Sequence, residues 1–231
     1  MITNEEIRNF LVKNSEEKYR DFNKKLMPDT TYEVLGVRTP VVKKLAAEIV
    51  RDKDASAAFL SSEHRFYEEW LLHGLVIANE KENVSDVLTN LRLFMPRINT
   101  WAICDGVVAA LKIFKKHKTE AMEFVKELLT SEKTYYVRFA VVILLDYFIE
   151  KDYLKEIVAL TLPIKSGEYY IDMAVAWLYS VMLVKEYDFT VKIIEEKRLP
   201  RFTHNKAIQK AIESFCIPND KKQYLKTLKI K

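Results

Sequence analysis

The sequence predicts an all-α fold, and three observations lead to that prediction. Only 4 glycines and 6 prolines occur among the 231 residues, so few positions suit tight turns between strands. Apolar residues make up 49% of the chain, and they recur at spacings of three and four, as in helices with one buried face. No segment alternates apolar and polar residues well enough to predict a strand.

The more apolar helices recur with a regular period of about 34 to 35 residues. Their starts are predicted near Arg65, Asn99, Thr134, Tyr169 and Thr203. Shorter, more polar helices are predicted between them, over residues 84–94, 119–129, 152–161 and 188–196. A hairpin of one long and one short helix cannot bury its own apolar side and must stack on its neighbours. The sequence therefore predicts an α-solenoid of five or six hairpins, whose longer helices line a concave groove.

The first helix of this array has a defined start. Thr39 can cap it, and Pro40 fits the first helical position, where a missing N–H costs no hydrogen bond. We expect this helix to run from Thr39 to about Asp52. Residues 1 to about 35 are interpreted as a helical cap on a single domain that spans residues 1–231.

Charge and cysteine content narrow the class of protein. The net charge of +4 permits an anionic partner but is smaller than expected for a protein that holds polyanions by charge alone. Cys104 and Cys216 lie far apart, and neither a secretory signal nor an 18-residue apolar run is present. We expect reduced thiols, a cytoplasmic protein and no contact with membranes.

Trp101 and Asp105 are the first candidate site residues. At positions i and i+4 of a helix they share one face, with Cβ atoms about 5 to 6 Å apart. Residues 103–108 are otherwise apolar, and an unpaired buried carboxylate costs several kcal/mol, so Asp105 must have a cationic partner, face a cavity or stay neutral. Arg138, one repeat later, is a positive charge among apolar residues and likewise needs a partner of opposite charge or a polar surrounding.

The charges of Asp105 and Arg138 allow two interpretations. Asp105 and Arg138 can form a buried ion pair that joins two repeats, because buried charges are usually paired. Alternatively, both residues face a shared polar groove. Trp177, a further repeat along the chain, is either a core residue or an aromatic side chain of the same groove.

Other motifs carry less chemistry. Helical geometry predicts that His64 and Glu68 point away from His73, so these residues and Glu69 cannot share a metal ion, and we expect them to be surface or structural residues. The sequence has no phosphate-binding glycine loop, CxxC or HExxH motif, which argues against nucleotide hydrolysis and zinc proteolysis. We expect neither a metal nor a cofactor.

Four segments, in their order and spacing, resemble the AlkD-type DNA alkylation repair glycosylases. They are "LGVRTPVVKKLAAEI" (35–49), "INTWAICDGVV" (98–108), "YYVRFAVVILLDYFI" (135–149) and "AVAWL" (174–178), within a resemblance that covers roughly residues 35–216. The resemblance implies a HEAT-like solenoid that holds duplex DNA in its groove. It also implies release of positively charged N3- and N7-alkylated purines without swinging the base into a pocket, unlike most glycosylases.

The resemblance also implies roles for individual residues. Asp105 would be the catalytic carboxylate, Trp101 and Trp177 would pack against the sugar of the damaged nucleotide, and Arg138 would hold the DNA backbone. The chain departs from the family pattern before Gly36, where an aromatic and arginine-rich segment is missing, and after Trp177, where an expected arginine is missing. These departures predict altered DNA contacts.

Two basic segments are candidates for phosphate contacts. "LKIFKKHK" (111–118) is expected to extend the helix of Trp101 and Asp105, and "RLPRFTHNKAIQK" (198–210) opens a later helix. Each can bind phosphates or simply be a solvated helix end. Lys206, just inside a helix start, is the candidate DNA-binding lysine.

The residue types suit the implied chemistry. A cationic purine leaves without a general acid, so one carboxylate can stabilise the oxocarbenium-like sugar and orient water, while indole faces attract cations. The sequence thus predicts a monomeric glycosylase, associated with the nucleoid when bound to DNA. The alternatives are a non-enzymatic scaffold that binds protein or undamaged nucleic acid, and a relative that binds branched or distorted DNA without cleaving it.

Overall fold

The chain folds into helices joined by short connections. The computed structural model describes residues 2–81, 83–165 and 167–231. In these ranges the α-helices are, in chain order, α1 Asn4–Lys13, α2 Glu17–Leu26, α3 Thr39–Ile49, α4 Lys53–Leu60, α5 Tyr67–Ala78, α6 Val84–Phe94, α7 Trp101–Val108, α8 Lys118–Leu129, α9 Thr134–Tyr147, α10 Leu154–Thr161, α11 Tyr169–Lys185, α12 Tyr187–Glu195, α13 Arg201–Glu213 and α14 Asn219–Thr227. The described residues form no strand, only isolated bridges. The predicted all-α fold is confirmed.

The predicted repeat period is present in the structure. The longer helices of the predicted repeats, α5, α7, α9, α11 and α13, each begin within two residues of the predicted starts. The intervening helices α6, α8, α10 and α12 also lie where the sequence places them. These alternating helices are the hairpin repeats of an α-solenoid.

The chain divides into two compact units, residues 1–120 and 121–231. In the first unit, α5 packs against both α3 and α7. In the second, α11 packs against both α9 and α13. A helix with two such neighbours is buried on most sides, which explains why α5 and α11 are apolar nearly all round. The prediction of a single domain stays a prediction.

Two helix ends differ from the sequence-based expectation. Helix α3 ends at Ile49 instead of continuing to Asp52, because the Asp52 carboxylate caps α4 by accepting hydrogen bonds from two of its N–H groups. The lysine-rich segment does not extend α7, which ends at Val108. Lys112–Lys115 form a separate 3₁₀ helix, whose three-residue turn brings the buried Leu111 and Phe114 to the same side.

A buried carboxylate fixes the loop before α3. Glu68 is fully buried, and its carboxylate oxygens accept hydrogen bonds from the backbone N–H groups of Leu35, Gly36 and Val37 at 2.9, 2.7 and 3.1 Å. Gly36 has a φ of 91°, and a Cβ there would lie 2.5 Å from the carbonyl oxygen of Glu16. Only glycine meets both requirements without strain.

Glu69 has a similar structural role at the start of α5. Its carboxylate is 3% exposed and accepts hydrogen bonds from Arg8 Nε at 2.8 Å and from the backbone N–H groups of Arg65 and Phe66 at 2.8 and 3.0 Å. Of the two roles expected for Glu68 and Glu69, surface or structural, the structure shows the structural one.

His64 and His73 lie next to each other, so the prediction that their side chains point apart is wrong. His64 precedes α5, so the chain can bring its Nε2 within 2.9 Å of His73 Nδ1. The rings pack against Trp70 and Phe94. Burial lowers the pKa of His64 to about 4 and that of His73 to about 3. The described part of the chain contains no group of three potential ligands placed to hold a metal ion.

Of the two cysteines, Cys104 is buried and Cys216 is exposed, and neither is part of a disulfide. Among the described helices, none combines the length and apolar character needed to span a bilayer.

The Glu68 loop generates a stability prediction. We expect Gly36→Ala to lower the free energy of unfolding by more than about 2 kcal/mol, because the methyl group adds a backbone clash to the cost of a positive φ. Gly167→Ala is the matched control, since Gly167 also has a positive φ but its Cβ would meet no atom within 4 Å. Urea unfolding measures both, and equal losses would show that the close contact at Gly36 is unimportant.

The histidine pair predicts a loss of stability in acid. Both pKa values are lowered in the folded state, so the unfolded chain takes up protons first. The stabilising contribution is complete above pH about 6.5 and is lost as the pH falls towards about 4. Urea unfolding at pH about 7.5 and 5.5 measures this loss. A His64→Gln, His73→Gln double variant should show a smaller pH dependence, and an unchanged dependence would contradict the assignment.

Candidate functional site

Helix α7 presents the first two candidate residues. Thr100 is buried and caps the helix, its hydroxyl oxygen accepting a hydrogen bond from the N–H of Ala102 at 3.3 Å. This cap makes Trp101 the first and Asp105 the fifth residue of α7. The two side chains therefore leave the same face of the helix, as predicted.

The indole of Trp101 is anchored by the end of α2. Its Nε1–H donates a hydrogen bond to the carbonyl oxygen of Leu26 at 3.0 Å. Neighbouring contacts fix the same segment: Asn99 Nδ2 donates to Thr31 Oγ1 at 2.8 Å, and the Tyr32 hydroxyl donates to the carbonyl oxygen of Arg97 at 2.8 Å. The sequence contained no signal for these contacts, because their partners lie about 70 positions apart.

Asp105 lies at the boundary between core and surface. Its neighbours Ile103, Cys104 and Val107 are fully buried, whereas Asp105 itself is half-buried, as is Trp101. A Cβ on the flanking Gly106 would make a tight contact with α5, 3.3 Å from Leu71 Cδ1. The carboxylate is thus held on a rigid helix and is not sealed in the interior.

Arg138 lies deeper than Asp105. It is 6% exposed on α9, and its Nη1 donates a hydrogen bond to the carbonyl oxygen of Tyr170, at the start of α11, at 2.9 Å. This bond uses part of the hydrogen-bonding capacity of the guanidinium to join two neighbouring long helices. The role of Arg138 in holding a DNA backbone stays a prediction.

Trp177 and Lys206 occupy the next two long helices. Trp177 on α11 is half-buried, so it is not a fully enclosed core residue. Lys206 on α13 is also half-buried, and its Nζ donates a hydrogen bond to Gln209 Oε1 at 3.3 Å. Because α11 packs against both α9 and α13, Arg138, Trp177 and Lys206 lie on three neighbouring long helices of the second unit.

A row of aromatic rings follows the starts of these three helices, and sequence inspection did not identify it. The Tyr135 and Tyr170 ring centroids are 5.8 Å apart, those of Tyr169 and Tyr170 are 5.3 Å apart, and those of Tyr169 and Phe202 are 6.4 Å apart. Tyr169 is 58% exposed and Phe202 is 44% exposed. Large aromatic side chains at this exposure offer a flat surface for a ligand.

The candidate residues thus form two groups. Trp101 and Asp105 share a face of α7 in the first unit, and Arg138, Trp177 and Lys206 belong to the second unit. One group supplies a half-buried carboxylate beside an anchored indole. The other supplies cations and aromatic rings.

Comparison with known proteins agrees with the resemblance noted in the sequence. A family model described as DNA alkylation repair enzyme matches residues 7–211. No curated protein was found to match the chain significantly. The family match includes the hairpin repeats and all five candidate residues. With most of its 231 residues matched in this way, the chain belongs to the family of DNA alkylation repair enzymes.

Proposed function

We propose that the protein is a DNA glycosylase that excises positively charged N3- and N7-alkylated purines from duplex DNA. One observation carries the proposal: the half-buried carboxylate of Asp105 lies one helical turn after Trp101, whose indole is anchored to Leu26. Membership of the repair family supports an enzyme acting on alkylated DNA. The reaction class and the roles of the residues are our proposal.

The carboxylate suits hydrolysis of the N-glycosidic bond. Alkylation at N3 or N7 gives the purine a positive charge, so when the C1′–N bond breaks, its electron pair neutralises the departing base. No proton has to be donated to the leaving group. Positive charge develops on the sugar, where Asp105 stabilises it. Water then attacks C1′ and gives up a proton, which leaves an abasic site.

The indoles of Trp101 and Trp177 also favour a positively charged purine and sugar. Trp101 uses its N–H edge for the bond to Leu26, so the ring is held in one orientation. Interaction between an indole face and a cation contributes about 0.5 to 2 kcal/mol. Such an interaction favours a cationic lesion and sugar over a normal nucleotide. Trp177 is assigned the second contact to the damaged nucleotide because of its match to the family motif.

Contacts to the DNA backbone are assigned to the second unit. The guanidinium of Arg138 presents N–H donors in a planar fork that matches phosphate oxygens, and Lys206 contributes a second cation. The proposed enzyme acts on duplex DNA as a monomer in the cytoplasm, without a metal or cofactor. A net charge of +4 makes the placement of these cations more important than their number.

Asp105→Asn tests the catalytic assignment. We expect release of 7-methylguanine from methylated duplex DNA to fall by a factor of about 100 or more, because the amide cannot neutralise the developing charge, while duplex binding persists. Single-turnover base release and fluorescence anisotropy measure the two quantities. Asp188→Asn, an exposed aspartate on α12, is the matched control. Excision by Asp105→Asn at the wild-type rate would show that the assignment is wrong.

Asp105→Ala separates a reaction site from a structural strut. Removing a carboxylate that is kept for chemistry relieves its desolvation or charge repulsion. We therefore expect the Tm of Asp105→Ala to stay within about 2 °C of the wild type or to rise. Removing one partner of a buried ion pair would instead lower Tm by several degrees. A large decrease, or tight DNA binding without any base release by the wild type, would favour the non-enzymatic alternatives.

A further inference from the structure

The second unit contains a cleft around Lys206, the lysine that the proposed function assigns to the DNA backbone. This open cleft has a volume of about 550 Å³ and is here called the C-terminal basic cleft; it is lined by Arg201, Phe202, Asn205, Lys206, Gln209 and Lys229. We infer that this cleft binds the phosphate backbone of DNA, with the C-terminal residues of the chain supplying one of its three cations. The inference rests on the proposed action on DNA and extends it to a defined binding subsite.

The cations of the cleft have no acidic partners. Lys206 contacts the neutral Gln209, and no carboxylate lies within ion-pair distance of Arg201, Lys206 or Lys229 among the residues that the structure describes. Elsewhere exposed cations do pair, as Arg38 does with Glu16 at 2.8 Å. Three unneutralised charges around one cavity repel one another, and an anion removes that repulsion. Amide groups beside them can donate further hydrogen bonds to phosphate oxygens.

The chain fixes Lys229 beside the cleft. Asn205 Nδ2 donates to the carbonyl oxygen of Ile230 at 2.8 Å, and the N–H of Ile230 donates to Asn205 Oδ1 at 2.9 Å. Nε2 of the buried His204 lies 2.9 Å from the carbonyl oxygen of Leu228. Residues on both sides of Lys229 are therefore tied to α13. This preorganises the third cation, so that less conformational entropy is lost on binding.

Aromatic side chains next to the cations favour nucleic acid over a small anion. Phe202 lines the cleft and is 44% exposed, and its ring lies 6.4 Å from that of the 58% exposed Tyr169. Sugars and bases pack on such rings while neighbouring cations contact phosphate. An inorganic phosphate ion has no apolar or aromatic group that could pack on these rings. A DNA backbone therefore fits the cleft better than free phosphate.

The charge test uses undamaged duplex DNA, so that binding is measured apart from excision. We expect Arg201→Gln, Lys206→Gln and Lys229→Gln each to weaken binding about 3- to 10-fold and to lower the slope of log K against log salt concentration by about 1. Lys155→Gln, an exposed lysine on α10 with the same charge change, is the control and should match the wild type. Thermal melts check that each variant is folded.

The tail contact is tested by a double-variant cycle. Asn205→Ala removes both bonds to Ile230, so it should weaken DNA binding about as much as Lys229→Gln does. Combining the two substitutions should cause little further loss, because both remove the same contact. Fully additive losses would show that Asn205 does not position Lys229.

The outcomes separate the cleft from the reaction site. Wild-type salt slopes in all three cleft variants would overturn the cleft proposal and leave the proposed glycosylase activity unaffected. Failure of the wild type to bind any duplex would overturn the proposed function itself. Inorganic phosphate at constant ionic strength should leave DNA binding unchanged, and competition at millimolar concentration would assign the cleft to free phosphate instead.

Discussion

The candidate site depends on the hydrogen bonds that the buried carboxylate of Glu68 accepts from the loop before α3. Leaving a carboxylate unsatisfied in the interior costs several kcal/mol, and here three backbone N–H groups of residues 35–37 meet that requirement. Burial nevertheless raises the pKa of Glu68. The chain between α2 and α3 has no regular structure of its own, so this anchor at one end and the Trp101 bond to Leu26 at the other determine its path.

Much of the fold could be predicted from the sequence because the signals are local. A period of three to four residues identifies each helix, and α3 begins at Thr39 as expected. The predicted cap is wrong by one residue, because Arg38 is the N-cap and Thr39 is already the first helical residue, followed by Pro40. The shared face of Trp101 and Asp105 follows from helix geometry alone. The contact between His64 and His73 could not be predicted, because a wheel calculation assumes that both residues belong to one helix, and His64 does not.

Depth of burial was the property that sequence could not assign. Asp105 and Arg138 both follow apolar neighbours near the start of a long helix, so the same pattern suited an ion pair or a groove. In the structure Arg138 is enclosed and bonded to the Tyr170 carbonyl, whereas Asp105 is only half-buried. The difference arises from how neighbouring helices cover each side chain, which depends on packing between distant segments. It is also what makes Asp105 the better candidate for chemistry.

The placement of charge explains how a protein with a net charge of only +4 can be suited to DNA. Where cations pair with carboxylates, as Lys126 does with Glu156 at 2.7 Å, they add little to the attraction of a polyanion. In the C-terminal basic cleft the pairing is absent within the described residues, and Lys206 donates its hydrogen bond to the neutral Gln209. Lys229 lies beyond the matched residues 7–211. The electrostatic field at the cleft therefore depends on the contacts between residues 228–230 and α13. Neither the net charge nor the family motif could predict these contacts.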